Sequence, residues 1–363
     1  MSSWRGENVL ILTASSGLGS FAPAFRLRAY LRSQGAATHL YCIEQLFDEY
    51  AVHKHQQTRA HCRASFRKAM LLQKVVEQGG IDLTSIIDPD KFDTMMHIWQ
   101  QEKFTRCIVF SGFWISALAV MTAGYSPTTR IDAIHMDAVP SSSWLHAKTY
   151  SQAVQASVKD IYLYQNNRNN VFTLYPVEKP LDWQSRSSRV LGHGGGWQMG
   201  DLATLNALFN REAIYSNMIL PADTALVSSI YQRILITEHN YHPWENLDKL
   251  PDLTVLPEAN SNEPPSNIDF EQLARSAPAI ITKPGGASLL DSINLATPLV
   301  LLPAFGEYEK QNANTWLSLG FAVTFEQWQD SGYSFDVLEE LHNNLLNHSA
   351  VSPIFGVSNE TCD

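Results

Sequence analysis

At 363 residues, with 45% hydrophobic and only 17% charged side chains, the chain is too long for one ordinary core and poorer in charge than the roughly 25% typical of soluble domains, so two α/β domains with large buried sheets are expected. A net charge of −10 excludes a global basic footprint for nucleic acid, and no apolar run reaches membrane-spanning length. Cys42, Cys62, Cys107 and Cys362 have neither metal-like nor disulfide-framework spacing, and no signal-like segment opens the chain, so a reducing cytoplasm is the expected setting.

The apolar run at 9–13 predicts a buried first strand, the Ser/Gly-rich stretch at 14–20 a turn, and Pro23 the start of a helix that ends at Gly35. A second strand at 37–43 completes a right-handed βαβ unit. Gly17, Gly19 and Ala22 match the spacing of a dinucleotide-binding turn, with Glu44 near the place of a ribose ligand. Two extra residues separate this turn from its strand, so a cleft-lining turn that binds no NAD is the preferred reading. Arg59, Arg63, Arg67, Lys68 and Lys74 fall on an amphipathic helix predicted over 59–78, with Cys62, Phe66, Ala69 and Val76 facing inward. That stripe reads first as a solvated face and second as a contact for an acidic or lipid-bound acceptor, which leaves peripheral membrane contact open.

Strands are predicted at 107–110, 131–136 and 161–164, with an apolar helix from Phe113 between the first two. Ligands of such parallel sheets bind beyond the carboxyl ends of the strands, which makes 15–20, 111–114 and 137–143 one rim. His135 and Asp137 sit there as candidate general bases or as hydrogen-bonded rim residues, and Trp114 and Trp144 could floor an acceptor pocket or belong to the core. Asp88-Pro89-Asp90 reads as a helix cap rather than a metal site. His53, His55 and His61 lack metal-like pairing.

The proline- and serine-bearing stretch at 176–189 suits a linker, giving a first domain at 1–183, a second at 184–334, and a terminal helix and tail at 335–363. A strand at 189–191 leads into a second glycine turn, His193-Gly194-Gly195-Gly196, and a helix at 200–209. Strands follow at 233–237 and 255–256, a loop at 260–267, and a helix at 269–276. The richest stretch is 280–313. A short strand meets Pro284-Gly285-Gly286, a helix at 288–297 buries Leu289, Leu290, Ile293 and Ala296, and Pro298 stops it before a strand at 299–302. Amides at a helix start favour an anion, and Lys283 adds a charge. A loop at 303–308 then carries Glu307, with Glu309 just beyond, placing carboxylates able to hold hydroxyls beside a phosphate cradle. The helix that follows ends at Gly320, before a strand at 321–325 and a final helix at 335–346.

On these motifs the chain resembles the GT-B-fold glycosyltransferases, in which two Rossmann-like, doubly wound parallel-sheet domains face each other across a cleft. It is similar to UDP-glycosyltransferases, to the N-acetylglucosaminyltransferase that forms lipid II and, in its Ile-Thr-Lys wording, to monogalactosyldiacylglycerol synthases. The likeness is specific over 280–320 and general elsewhere. It implies that Lys283, Ser288 and the Gly285 and Gly286 amides contact the donor diphosphate, that Asp291 holds the ribose, and that Glu309, three residues before Asn312, holds donor-sugar hydroxyls. It also implies that His193, Gly194, Gly195 and Gly196 approach the diphosphate from the other side, with the base held around 242–244 and 256–258. Where many inverting members carry a histidine or aspartate, this chain has Ser20, a poor base, so His135, Asp137 or another cleft residue would take the proton.

The expected activity is metal-independent transfer of a sugar from a nucleoside-diphosphate sugar, most simply a UDP-sugar, to a small-molecule hydroxyl or amine, with no cofactor. A sugar-nucleotide epimerase, a catalytically silent nucleotide-sugar-binding partner and an NAD oxidoreductase are the alternatives.

Overall fold

The computed structural model describes residues 4–15, 18–79, 86–124, 129–147, 158–164, 171–222, 228–238, 241–257, 264–348 and 353–356. Gly17, Glu258 and Cys362, and parts of the 14–20 turn and the 260–267 loop, lie outside them.

The first domain is built on β1 (Asn8–Thr13), β2 (Ala37–Cys42), β3 (Arg106–Val109), β4 (Arg130–His135) and β5 (Val158–Tyr162). These form one parallel sheet in the order β2-β1-β3-β4-β5. From Val9 to Thr13 every residue of β1 is buried, as a strand covered on both faces requires. The second sheet runs β10-β9-β8-β7-β6-β11-β12-β13. Its parallel strands are β6 (Val190–His193), β7 (Ser216–Leu220), β8 (Gln232–Thr237), β11 (Ile280–Thr282), β12 (Leu299–Leu301) and β13 (Ala322–Thr324), and β9 (Leu253–Val255) and β10 (Ser266–Ile268) add an antiparallel edge. In each sheet the strand order reverses at one crevice, between β1 and β3 and between β6 and β11. Ligands of doubly wound sheets bind at such crevices.

Two helical expectations are corrected. Helix α1 spans Leu18–Ser33, so its first turn takes the last three residues of the expected 14–20 turn and Pro23 lies inside the helix. Proline there forfeits one helical hydrogen bond, to the Gly19 carbonyl, which a helix can absorb near its start. Glu44 accepts the Ser15 N–H with both carboxylate oxygens at 2.9 Å, so it closes the end of β1 and is not presented to a ribose. The single amphipathic helix of 59–78 is instead a hairpin, α2 (Glu49–Ala64) and α3 (Phe66–Gly79), broken where Ser65 is extended. Asp88 caps α4 (Pro89–Glu102) by accepting from the Asp90 and Lys91 amides, with Pro89 in the first turn, as the sequence predicts. Trp114 is fully buried and donates to the Thr13 carbonyl at 2.6 Å, so it is core and lines no pocket. Helix α5 (Ile115–Gly124) follows it, and α6 (Ser142–Ala147) follows β4.

Helix α7 (Leu202–Arg211) follows the second glycine turn, α8 (Phe270–Ser276) precedes β11, and α9 (Gly286–Leu295) and α10 (Glu307–Ser318) follow β11 and β12. Helices α11 (Phe325–Asp330) and α12 (Phe335–His348) close the second domain. The largest apolar cluster runs through both domains, from Phe21 and Leu27 of α1 to Leu289 and Ile293 of α9 and Trp316 of α10. Among the described residues no helix is long and apolar enough to cross a membrane.

Candidate functional site at the domain interface

The crevice of the second sheet lies between the carboxyl ends of β6 and β11, where the turns 193–196 and 283–286 stand side by side. Gly195 takes φ +71°, a conformation that favours glycine, and its N–H donates to His193 Nδ1 at 3.0 Å. His193 is buried, and burial, then the nearby Lys283 charge, lowers its pKa to about 4. The ring is therefore neutral, and with Nδ1 accepting, its proton resides on Nε2, a buried atom with no partner.

Lys283 extends from β11 into a buried ion pair, Nζ to Glu309 Oε1 at 3.0 Å, and also lies 5.1 Å from the centroid of the Phe305 ring. The other Glu309 oxygen accepts the Phe305 N–H at 2.6 Å. In this state the lysine charge is balanced inside the protein. Ser288 is buried in the first turn of α9. Glu307 is not in a loop: it opens α10 and is exposed, bonded to Lys310 and Gln311 at 3.2 and 3.0 Å. These hydrogen bonds, Gln311 first, lower its pKa. It sits apart from the Lys283 and Glu309 pair, and the helix start at Gly306 explains why, since the first turn projects Glu307 outward and Glu309 inward.

The first domain closes directly on α9. A Cβ on Gly286 would fall on the Met136 carbonyl oxygen and beside Asp137, whereas Gly285 has room for one. Asp137 accepts from the Gly286 N–H and from Asn312 Nδ2 at 2.7 Å. Asn312 also donates to the Pro284 carbonyl at 2.9 Å and accepts the Ala138 N–H at 2.8 Å, so its single side chain ties the two domains together. Burial raises the Asp137 pKa to about 7, with Glu309 adding to the rise and the two hydrogen bonds opposing it. Tyr164, also from the first domain, donates to the Gly286 carbonyl at 3.2 Å. Asp291, in the second turn of the same helix, pairs with Arg26 of α1 at 2.8 Å, and burial leaves its pKa raised despite that partner.

The other candidate bases lie elsewhere. His135 Nε2 is 2.7 Å from Asp160, and its ring stacks on Tyr162 at 4.1 Å and tilts against Trp144 at 4.5 Å. It belongs to the first domain's own packing and does not join Asp137. Ser20, in the first turn of α1, donates to the carbonyl of Ala14, just past β1, at 2.7 Å.

The α2–α3 hairpin crosses from the first domain to the second. Cys62 and Ala69 pack with Met199, Phe66 with Phe305, and Gln73 bonds Ser142. His55 meets Trp197 and Trp244, and His242 stacks on Trp244 at 4.6 Å, over the segment to which the base was assigned. Arg59 donates to the Tyr241 and Gly196 carbonyls. Arg26, Tyr164 and Arg59 were not anticipated as site residues. Arg59 belongs to the stripe expected to be solvated, but its place three residues before Cys62 borders the inward face, which is the signal for its contact with the second domain.

Solved structures match the whole chain. Glycosyltransferase VinC in complex with dTDP is 10% identical, with 96% of each chain covered and a TM-score of 0.54. MurG of Acinetobacter baumannii is 15% identical, with 96% of each chain covered and a TM-score of 0.51. The spinosyn forosaminyltransferase SpnP is 13% identical over 95% of this chain and 94% of its own, also at 0.51. No family model and no curated protein matches the chain. The fold is GT-B: two Rossmann-like domains facing each other, with the 280–313 stretch on the inner wall of the second.

Proposed function

We propose that the protein is a glycosyltransferase that moves a sugar from a nucleoside-diphosphate sugar, a UDP-sugar in the simplest case, to a small-molecule hydroxyl or amine. The observation that carries this reading is the meeting of a first-domain carboxylate, Asp137, with the amide start of α9 beside Lys283, Glu309 and Asn312. The proteins with which the chain shares its fold include sugar transferases, and VinC was crystallised with dTDP.

In this mechanism the donor diphosphate takes the amides at 286–288, of which the Gly286 N–H is now held by the Asp137 carboxylate, and Lys283 divides its charge between the phosphates and Glu309. Asp291 would exchange Arg26 for the ribose hydroxyls. Released from Gly286, Asp137 faces the acceptor. The acceptor oxygen forms its bond to the anomeric carbon as the bond to the diphosphate breaks, and the acceptor proton passes to Asp137. The helix start and Lys283 meet the leaving-group charge without requiring a metal. Because Ser20 is bonded to a backbone carbonyl, a donor-binding protein without turnover is the second reading.

Thermal shift against UDP, dTDP, GDP, CDP, ADP and NAD, followed by turnover of the matching nucleotide sugar in EDTA, tests both. A nucleoside diphosphate should raise the Tm, NAD should not, and Lys283→Ala should weaken that response by about tenfold in affinity. No response to any diphosphate at millimolar concentration would sink the proposal. Binding without transfer or hydrolysis would select the second reading.

A further inference from the structure

Arg59 and Arg63 lie one turn apart on α2, where the hairpin crosses onto the second domain. Arg59 Nη1 and Nη2 reach the Tyr241 and Gly196 carbonyls, both at 3.3 Å. Its Nε and that of Arg63 are buried and have no partner. The titratable neighbours of Arg59 are Arg63, which repels it, and Tyr241, a neutral phenol that offers no balancing charge. Among the described residues no carboxylate pairs with either arginine.

A purely structural arginine in this protein looks different. Arg186 bonds the Ala277 and Leu295 carbonyls at 2.8 Å and Thr297 Oγ1 at 2.9 Å, a fork filled by well-placed acceptors. An unpartnered Nε and a neighbouring arginine are common to both, but Arg59 makes only two bonds and both are long, at 3.3 Å. Uncompensated charge in a dry site is costly, and an anion relieves the cost.

The surroundings point to where that anion sits. Gly196, whose carbonyl Arg59 touches, packs against the Leu18 backbone N at the start of α1. On the same turn, the His193 Nε2 proton lacks an acceptor and Lys283 stands near. Two helix starts, a glycine turn, a lysine and two arginines therefore border one crevice. We propose that Arg59, assisted by Arg63, is a ligand from the first domain for the diphosphate of the donor, so that the α2–α3 hairpin is held closed by the nucleotide's own charge. This deepens the glycosyltransferase reading and rests on it. A guanidinium fork suits two phosphate oxygens, whereas the present carbonyl contacts are weaker substitutes.

The test is calorimetric titration of wild type, Arg59→Gln, Arg63→Gln and Arg67→Gln with UDP, uridine and inorganic pyrophosphate. Arg59→Gln should lose at least about tenfold in UDP affinity, keep its uridine affinity, and show a shallower salt dependence. Arg63→Gln should move the same way by a smaller factor, and Arg67→Gln, exposed on α3, should not change. Unaltered UDP binding in Arg59→Gln overturns the proposal, as does an equal loss for UDP and uridine. Loss of pyrophosphate binding with UDP unaffected assigns the anion to another substrate and also overturns it. If circular dichroism shows Arg59→Gln unfolded, Arg63→Gln decides by the same criteria. Wild type that binds neither pyrophosphate nor any nucleoside diphosphate among UDP, dTDP, GDP, CDP and ADP refutes the donor-site reading itself, a result distinct from a variant that binds as well as wild type.

Discussion

The Asp137 carboxyl is held by a backbone amide of the opposite domain and by the Asn312 side chain, in surroundings that raise its pKa from 3.8 to about 7. In the unfolded chain the same group ionises near its ordinary value. Between about pH 4 and pH 7 the folded protein therefore binds the extra proton, and the stability this provides is lost as pH rises through 7. Each unit in that window is worth at most about 1.4 kcal/mol. Asp137→Asn, which keeps an oxygen to accept both hydrogen bonds, should be more stable than wild type above pH 7, with the gap closing toward pH 4. Urea denaturation at a series of pH values checks this. The catalytic consequence has the opposite sense. A base must be ionised, so transfer should rise through pH 7 in wild type and fall by about 100-fold or more in Asp137→Asn. Nucleotide affinity in that variant should hold or improve, since a competing carboxylate has left the α9 start. Equal turnover in the two proteins would remove Asp137 from the mechanism.

Helix α9 shows how a local sequence signal acquires a meaning that only the fold supplies. Pro284-Gly285-Gly286 announces a turn before a helix, but the two glycines differ. A Cβ on Gly285 would meet only Glu309 Oε1 at 3.7 Å, whereas one on Gly286 would overlap the Met136 carbonyl of the other domain. Gly285→Ala should leave domain closure intact. Gly286→Ala should hold the domains apart and cut turnover at least tenfold, with a larger radius of gyration by X-ray scattering, because backbone on both sides leaves nothing free to move. Periodicity found this helix, and caps found α4 and α8, because these features are local. The strands at 216–220 and 266–268 carry no such signal, the first being a short apolar run between polar residues and the second an exposed edge whose pattern carries little burial. The break at Ser65 was hidden for a related reason. The inward stripe continues across it through Cys62, Phe66 and Ala69, so the pattern reads as one helix while the backbone turns. The pairing of Lys283 with Glu309, and of Asp291 with Arg26 across 265 positions, depends on distant chain segments and has no local signature.

At the scale of the whole molecule the two sheets are joined by more than the linker. Arg28 reaches Asp248 and the Leu247 carbonyl, and Arg26 bridges Asp291 and Glu271. After α12 has packed on the second domain, with His342 Nδ1 2.7 Å from the Ala296 carbonyl, the chain returns to the first. Ile354 and Phe355 donate their amides to the Thr173 and Leu174 carbonyls at 3.0 and 2.9 Å. Phe355 is buried against Trp4, with the Arg106 guanidinium 5.2 Å from its ring and itself paired to Asp132. The terminal segment thus clasps the first domain from the end of the second, an arrangement that permits hinge motion at the linker while limiting its range. Phe355→Ala should cost about 3 kcal/mol, the usual penalty for emptying a buried aromatic site. That loss should fall on the first domain, because the ring's aromatic and cationic partners, Trp4 and Arg106, lie there. Denaturant unfolding should accordingly show an earlier first-domain transition, while a nucleoside diphosphate still protects the second domain from proteolysis. A single cooperative transition displaced as a unit would instead mean that the apolar cluster shared by α1, α9 and α10 couples the domains more strongly than the clasp does.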